Sequence, residues 1–224
     1  MTRKEVEFDF PRRERIGLSE AVFCEGKSVV QIEHIVSLAE KRGDPLLLTR
    51  LSVETLSALD EKLRRNLDYD PVSRTGLFGE HSAAAAAATV AVVAAGSSDM
   101  PVVREASRTL AFYGVAADEY IDIGVAGLWR VIEKREQLNK YAAVIVVAGM
   151  DGALFSVIGG LIGSVVIAVP TATGYGAARE GVTALHAALA SCAPGVVVVN
   201  IGNGYGGACA ALRVLRAVGL RSHT

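Results

Sequence analysis

The chain has 224 residues, 51% of them hydrophobic, with 23 glycines and a formal net charge of −1. That length holds one large domain, or a small one beside a medium one, with a sizeable buried core. Near-neutral charge supplies no basic field for nucleic acid or an anionic membrane surface. Three widely spaced cysteines make neither a disulfide framework nor a metal-ligand set.

The first thirty residues are charged, so no signal peptide is expected, and a reducing, cytoplasmic location fits the odd cysteine number. Residues 1–20 read as an irregular lead-in and residues 21–23 as a short strand. Ser28 followed by Gln31 is a capping-box pattern. It opens an amphipathic helix with Val29, Ile32, Ile35, Val36 and Ala39 on one side, ended by Gly43. Residues 46–48 read as a strand, and Ser52 opens a helix through Arg65. Residues 68–80, with Pro71, Gly76 and Gly79, read as a junction. Residues 1–80 thus form a small N-terminal α/β segment, and residues 81–224 a second domain. The alanine run at 83–88 reads as a linker or a short helix.

From Thr89 the pattern becomes regular. Strands are expected at residues 90–95, 119–123, 143–147, 165–169 and 196–199, each followed by a polar or glycine-rich turn and a helix. Five βα units in series imply a parallel sheet covered on both faces, a three-layer α/β domain. Residues 141–170 carry one charge, Asp151. Their interrupting glycines and β-branched ends fit two buried strands around a helix better than a membrane span. Ligands of such sheets sit outside the carboxyl ends of the strands, where these turns gather.

In the first turn, Gly96-Ser-Ser-Asp-Met-Pro101, Gly96 is expected to let the backbone turn sharply. Ser97, Ser98 and Asp99 offer two hydroxyls and a carboxylate at a helix start. That suits phosphate or ribose, and equally an ordinary capped turn. Asp151, between two glycines, reads as an acid, base or hydroxyl-binder whose partial burial would raise its pKa, or as a helix N-cap. Cys192 lies in Ser-Cys-Ala-Pro-Gly195, between a helix and a strand. A helix C-terminus disfavours a thiolate, so activation needs a cationic substrate or a neighbouring base, and an inert thiol is the other reading. Cys24 and Cys209 read as structural. Tyr175, between two glycines, can stack on a flat ring, and Asn200 and Asn203 offer amides. The turns together suggest a nucleotide-sized pocket.

Gly96-Ser-Ser-Asp-Met-Pro101 resembles the nucleotide-binding turn of the aminoimidazole ribonucleotide carboxylase (PurE-like) superfamily, which implies a flavodoxin-like parallel sheet. Further motifs are similar to the LarB family: Ile123-Gly-Val-Ala-Gly127, Ala148-Gly-Met-Asp-Gly-Ala-Leu154, Val169-Pro-Thr-Ala-Thr-Gly-Tyr-Gly-Ala177, Ser191-Cys-Ala-Pro-Gly195 and Val199-Asn-Ile-Gly-Asn-Gly-Tyr-Gly206, with Phe23-Cys-Glu-Gly-Lys27 and Thr49-Arg-Leu-Ser52 nearer the start. The resemblance implies the first step of nickel-pincer nucleotide cofactor synthesis. There the pyridinium ring of nicotinic acid adenine dinucleotide is carboxylated at C5 with CO2 and the phosphoanhydride is hydrolysed. The products are pyridinium-3,5-biscarboxylic acid mononucleotide and AMP.

On that resemblance Cys192, at the mouth of the cleft, adds to the cationic ring, and Asp151 is the ring base. Ser97 and Asp99 bind ribose and phosphate or assist hydrolysis. The substrate-binding set is Gly96, Ser98, Gly124, Gly127, Gly149, Met150, Gly152, Thr173, Tyr175, Gly176 and Asn200. No tightly bound cofactor or protein metal site is implied, Mg²⁺ with the dinucleotide is left open, and a homo-oligomer, an octamer by resemblance, is expected. Two other readings stay open: purine-pathway carboxylation or mutase chemistry, and a non-catalytic nucleotide-binding module. Against the former, Gly124-Val-Ala-Gly127 lacks the histidine of the Ser-Ala-His-Arg-type turn that purine carboxylases carry.

Overall fold

The structure, a computed structural model, describes residues 6–81 and 87–219, so most of the alanine run lies outside the described residues. The chain divides into two compact units, Met1–His81 and Ser82–Thr224.

The first unit runs α1 (Arg12–Ile16), β1 (Val22–Phe23), α2 (Val29–Arg42), β2 (Leu46–Thr49), α3 (Val53–Ala58), α4 (Glu61–Arg65), β3 (Leu67–Asp70) and β4 (Thr75–Phe78). The capping box forms as expected: Ser28 accepts from the Gln31 N–H, and the Gln31 amide oxygen accepts from the Ser28 N–H. Ile32, Ile35, Val36 and Ala39 bury the inner face of α2. Three expectations are corrected. The lead-in holds a short helix, α1, closed by Gly17 in the left-handed region. The helix expected through Arg65 breaks where Leu59, buried in extended backbone, anchors the core. The Asp60 carboxylate then caps a new helix by accepting from the Lys62 N–H. Most of the expected junction is a β-hairpin. The Asp70 carboxylate accepts from the N–H and the hydroxyl of Ser73 and turns the chain. Leu67 lies across Gly76, where a Cβ would come 2.9 Å from a leucine methyl. The hairpin completes a mixed four-stranded sheet of order β1-β2-β4-β3.

The second unit runs β5 (Val90–Ala94), α5 (Met100–Phe112), β6 (Ala117–Tyr120), α6 (Leu128–Leu138), β7 (Ala143–Ala148), α7 (Ala153–Leu161), β8 (Val165–Pro170), α8 (Val182–Leu189), β9 (Val197–Val198) and α9 (Gly204–Ala217). Its five strands are all parallel, in the order β6-β5-β7-β8-β9. The central strands β5 and β7 are wholly buried, which explains their unbroken valine-rich runs. Val131, Leu138, Leu154, Phe155, Ile158, Ala184 and Ala188, from α6, α7 and α8, pack in one core on one face, while α5 and α9 pack against each other and the sheet. Strand β6 begins and ends earlier than expected, because Asp122 takes a left-handed conformation and stops it. The order reverses at β5 and β7, so their outgoing turns lie side by side at the switch point. Among the described residues no helix is long and apolar enough to cross a membrane.

Candidate functional site

The turns leaving β5 and β8 are locked together by one carboxylate. Asp99 is 2% exposed. Its Oδ1 accepts from the hydroxyls of Thr171 at 2.7 Å and Thr173 at 2.9 Å, and its Oδ2 accepts from the Gly96 N–H at 3.1 Å. Asp99 is therefore turned inward, bracing its own turn against the turn after β8. The turn after β7 is pressed into the same knot. The Met150 N–H donates to the Thr173 carbonyl at 2.6 Å, and a Cβ on Gly149 would stand 2.2 Å from that carbonyl oxygen.

Gly96 differs from its expected role. Its backbone is extended, which any residue adopts, and an added Cβ would meet nothing within 4 Å. Neither conformation nor packing within the chain requires glycine there, so its bareness leaves room above the turn. Ser97 and Ser98 are exposed beside it. Gly124 lies flat on the end of β5, where a Cβ would stand 2.7 Å from the Ala95 carbonyl, and Gly127 lies under the Arg130 guanidinium. Gly152 seats α7 closely on α8.

Asp151 is exposed rather than partly buried, and its carboxylate accepts from the Ala153 N–H at 3.2 Å, capping α7. Met150, Tyr175 and Gly176 are exposed at the same edge. Asn200 is exposed too, its side-chain oxygen accepting from the Ile201 N–H. Asn203 caps α9 through the Gly206 N–H.

Two polar residues of this edge escaped the sequence reading. Thr171 is buried against Asp99. Glu105, 4% exposed on α5, accepts from the Tyr205 N–H and so holds the first turn of α9. Both act through contacts 72 and 100 residues away in sequence, beyond the reach of any local pattern.

The cysteines separate by environment. Burial pushes the Cys24 thiol up to about 12, and it lies in the core of the first unit. Cys192 is exposed, and Cys209 is intermediate. Cys192 does not lie at the mouth of the cleft formed by the turns, and the reason is topological. It sits where the chain enters β9, after α8 has carried it back toward the strands' amino ends. Its neighbours there fix the position: Ser191 hydrogen-bonds Ser156 of α7 at 2.7 Å, and Ala193 packs where a Cβ on Gly159 would stand. The turns thus gather Ser97, Ser98, Asp99, Asp151, Thr173, Tyr175 and Asn200 at one edge, while Cys192 belongs to the other. Exposed Leu189 and Val197 flank it.

Residues 3–80 match the model of the LarB/PurE-like N-terminal domain, and residues 89–223 match that of the AIR carboxylase family. An uncharacterized protein of Methanocaldococcus jannaschii is 38% identical over 210 residues, which is 90% of this chain and 80% of that protein. Among solved structures, a single-substitution variant of Treponema denticola PurE2 superimposes with a TM-score of 0.47 at 19% identity, over 59% of this chain and 80% of the other.

Proposed function

We propose a reaction for this chain from one premise: it belongs to the LarB family of the PurE-like superfamily, whose function is of the carboxylase type. The substrate is nicotinic acid adenine dinucleotide. The Cys192 thiolate adds to its cationic pyridinium ring, giving a neutral, dienamine-like ring whose C5 is nucleophilic. C5 attacks CO2 and forms the new carbon–carbon bond. Asp151 removes the C5 proton, the ring electrons expel the thiolate, and aromaticity returns. Water cleaves the phosphoanhydride, releasing AMP and pyridinium-3,5-biscarboxylic acid mononucleotide. Ser97 and Ser98 hold ribose and phosphate above the bare Gly96. Asp99 takes a positioning role, holding that turn in register with Thr171 and Thr173.

The observation that carries this reading is that Cys192 is exposed, whereas Cys24 is buried and its thiol is pushed up to about 12. A covalent step needs a thiol that a substrate can reach. The position of Cys192 adds a condition: the thiol of one protomer must meet the turn edge of another. The reading therefore includes a homo-oligomer, an octamer by family resemblance. Apolar side chains on the second unit, Leu128, Trp129 and Ile132 on α6 and Leu189 and Val197 around the cysteine, favour such burial.

The test is incubation with the dinucleotide and bicarbonate, with and without a chelator of Mg²⁺. Formation of AMP and the doubly carboxylated mononucleotide, both lost in Cys192→Ala, is expected. Binding without turnover would leave a nucleotide-binding module, and carboxylation of aminoimidazole ribonucleotide instead would place the chain in purine synthesis. Mixing Cys192→Ala with Ser97→Ala protomers tests the shared site. Recovered activity in the mixture is expected, and two variants that stay inactive together would count against it.

A further inference from the structure

We infer that Arg179 is the phosphate-binding cation of the turn edge, an assignment that rests on the dinucleotide reading above. The segment after β8 is shaped by two buried anchors. Ala178 packs tightly against Gly174, and Gly181 approaches the Thr171 carbonyl so closely that a Cβ there would stand 2.7 Å from its oxygen. The Thr183 hydroxyl donates to the Ala177 carbonyl at 2.5 Å and ties the segment to α8. Only Arg179 and Glu180 lie between the anchors. Both are forced into the left-handed region, at φ 49° and 53°, and both side chains are exposed. Neither residue is suited to that conformation, so packing on either side over-determines it. A backbone held this rigidly presents its side chains at little ordering cost.

Those side chains, with Ala172, Gly174, Tyr175 and Gly176, line an open cavity of about 450 Å³. Tyr175, 84% exposed, offers a flat face. Arg179 offers a guanidinium with no hydrogen bond or ion pair among the described residues. The other arginines near this edge are committed: Arg130 to the carboxylate and carbonyl of Asp122, Arg104 to Glu119. Meanwhile the edge carries the carboxylates of Asp99, Asp151 and Glu180, which repel a phosphoanhydride. An unpaired guanidinium beside a ring-stacking face is the chemistry that recognises the phosphates of a nucleotide.

The experiment compares wild type, Arg179→Gly and Arg179→Lys by calorimetric titration with nicotinic acid adenine dinucleotide, inorganic pyrophosphate and phosphate-free nicotinic acid riboside, at low and high salt. Glycine is at ease in the left-handed region, so Arg179→Gly removes the cation without endangering the fold, and its melting temperature should match or exceed wild type. Expected are a tenfold or greater loss of affinity for the dinucleotide and for pyrophosphate in Arg179→Gly, steeper at low salt. Partial recovery in Arg179→Lys and unchanged riboside binding complete the pattern. In turnover, KM rises tenfold with kcat within twofold. Unchanged dinucleotide affinity, or an equal loss for the riboside, would overturn the assignment. The two readings fail separately. Arg179-dependent pyrophosphate binding without any turnover sinks the carboxylase reaction alone. Normal turnover and KM in Arg179→Gly sinks the phosphate site alone.

Discussion

The Thr171 hydroxyl donates to the buried carboxylate of Asp99 over 2.7 Å, joining the turn after β8 to the turn after β5. A carboxylate at 2% exposure that accepts from two hydroxyls and a backbone N–H is a structural junction. Removing it leaves the buried Thr171 hydroxyl and the half-buried Thr173 hydroxyl and Gly96 N–H without their acceptor. Asp99→Ala should cost about 2–4 kcal/mol of unfolding free energy. Asp99→Asn keeps one oxygen acceptor and should cost less. Urea unfolding of the full chain measures both, and an unchanged midpoint in Asp99→Ala would show that the carboxylate braces nothing.

Two glycines of this edge should respond in opposite ways. A methyl on Gly149 would stand 2.2 Å from the Thr173 carbonyl, a backbone atom that cannot swing aside. Gly149→Ala should destabilise by about 3 kcal/mol or more, or prevent folding. Gly96→Ala adds its methyl to open space on extended backbone and should leave the melting temperature within a degree or two of wild type. If a nucleotide lies against Gly96, the same variant should still weaken binding. A folded Gly96→Ala protein with wild-type affinity would remove the ligand from that spot.

Cys24 makes the stability of the first unit depend on alkaline pH. Its thiol titrates near 9 when unfolded and is pushed to about 12 in the fold, chiefly by burial. Between those values the unfolded chain has released a proton that the folded chain keeps. Stability from this group is therefore complete below pH 9 and falls as pH rises toward 12, by up to about 1.4 kcal/mol per unit. Unfolding followed from pH 8 to 10.5 should show that slope, and Cys24→Ala should flatten it. In the same range a thiol reagent should label Cys192 at once and Cys24 only on unfolding. Rapid labelling of both would mean that the first core is not closed.

Much of the fold was legible because its determinants are local. The Ser28–Gln31 box, Gly43 and the five apolar runs each act within a few residues, and each lies close to where the pattern puts it. The hairpin of β3 and β4 was obscured because Pro71, Gly76 and Gly79 suggest a junction, while Leu67 packing on Gly76 is a cross-strand contact. At the site, residue types and turn positions could be read, but burial could not. Asp99 and Asp151 look alike in sequence. One is sealed by threonines from another turn, and the other caps its own helix in solvent. The place of Cys192 was legible in the βα pattern, because a residue between a helix and the next parallel strand lies at the strands' amino ends. The family resemblance, not the pattern, put it at the mouth of the cleft.

Asp151 invites a separation of its two roles. Its carboxylate caps α7 through the Ala153 N–H, and in the proposed reaction it takes the ring proton. Asparagine keeps a side-chain oxygen for the cap but has no basic site. Asp151→Asn should thus stay within about 0.5 kcal/mol of wild-type stability, whereas Asp151→Ala loses the cap and about 1 kcal/mol. Both variants should lose carboxylated product when incubated with dinucleotide and bicarbonate. A base that acts after carbon–carbon bond formation should also leave a trace before it. With Asp151→Asn, the adduct between Cys192 and the pyridinium ring should still form, seen as loss of the pyridinium absorbance or as a trapped mass on the protein. Full product formation by Asp151→Asn would assign the proton to another group. A missing adduct in a folded, nucleotide-binding variant would place Asp151 before the thiolate's attack rather than after it.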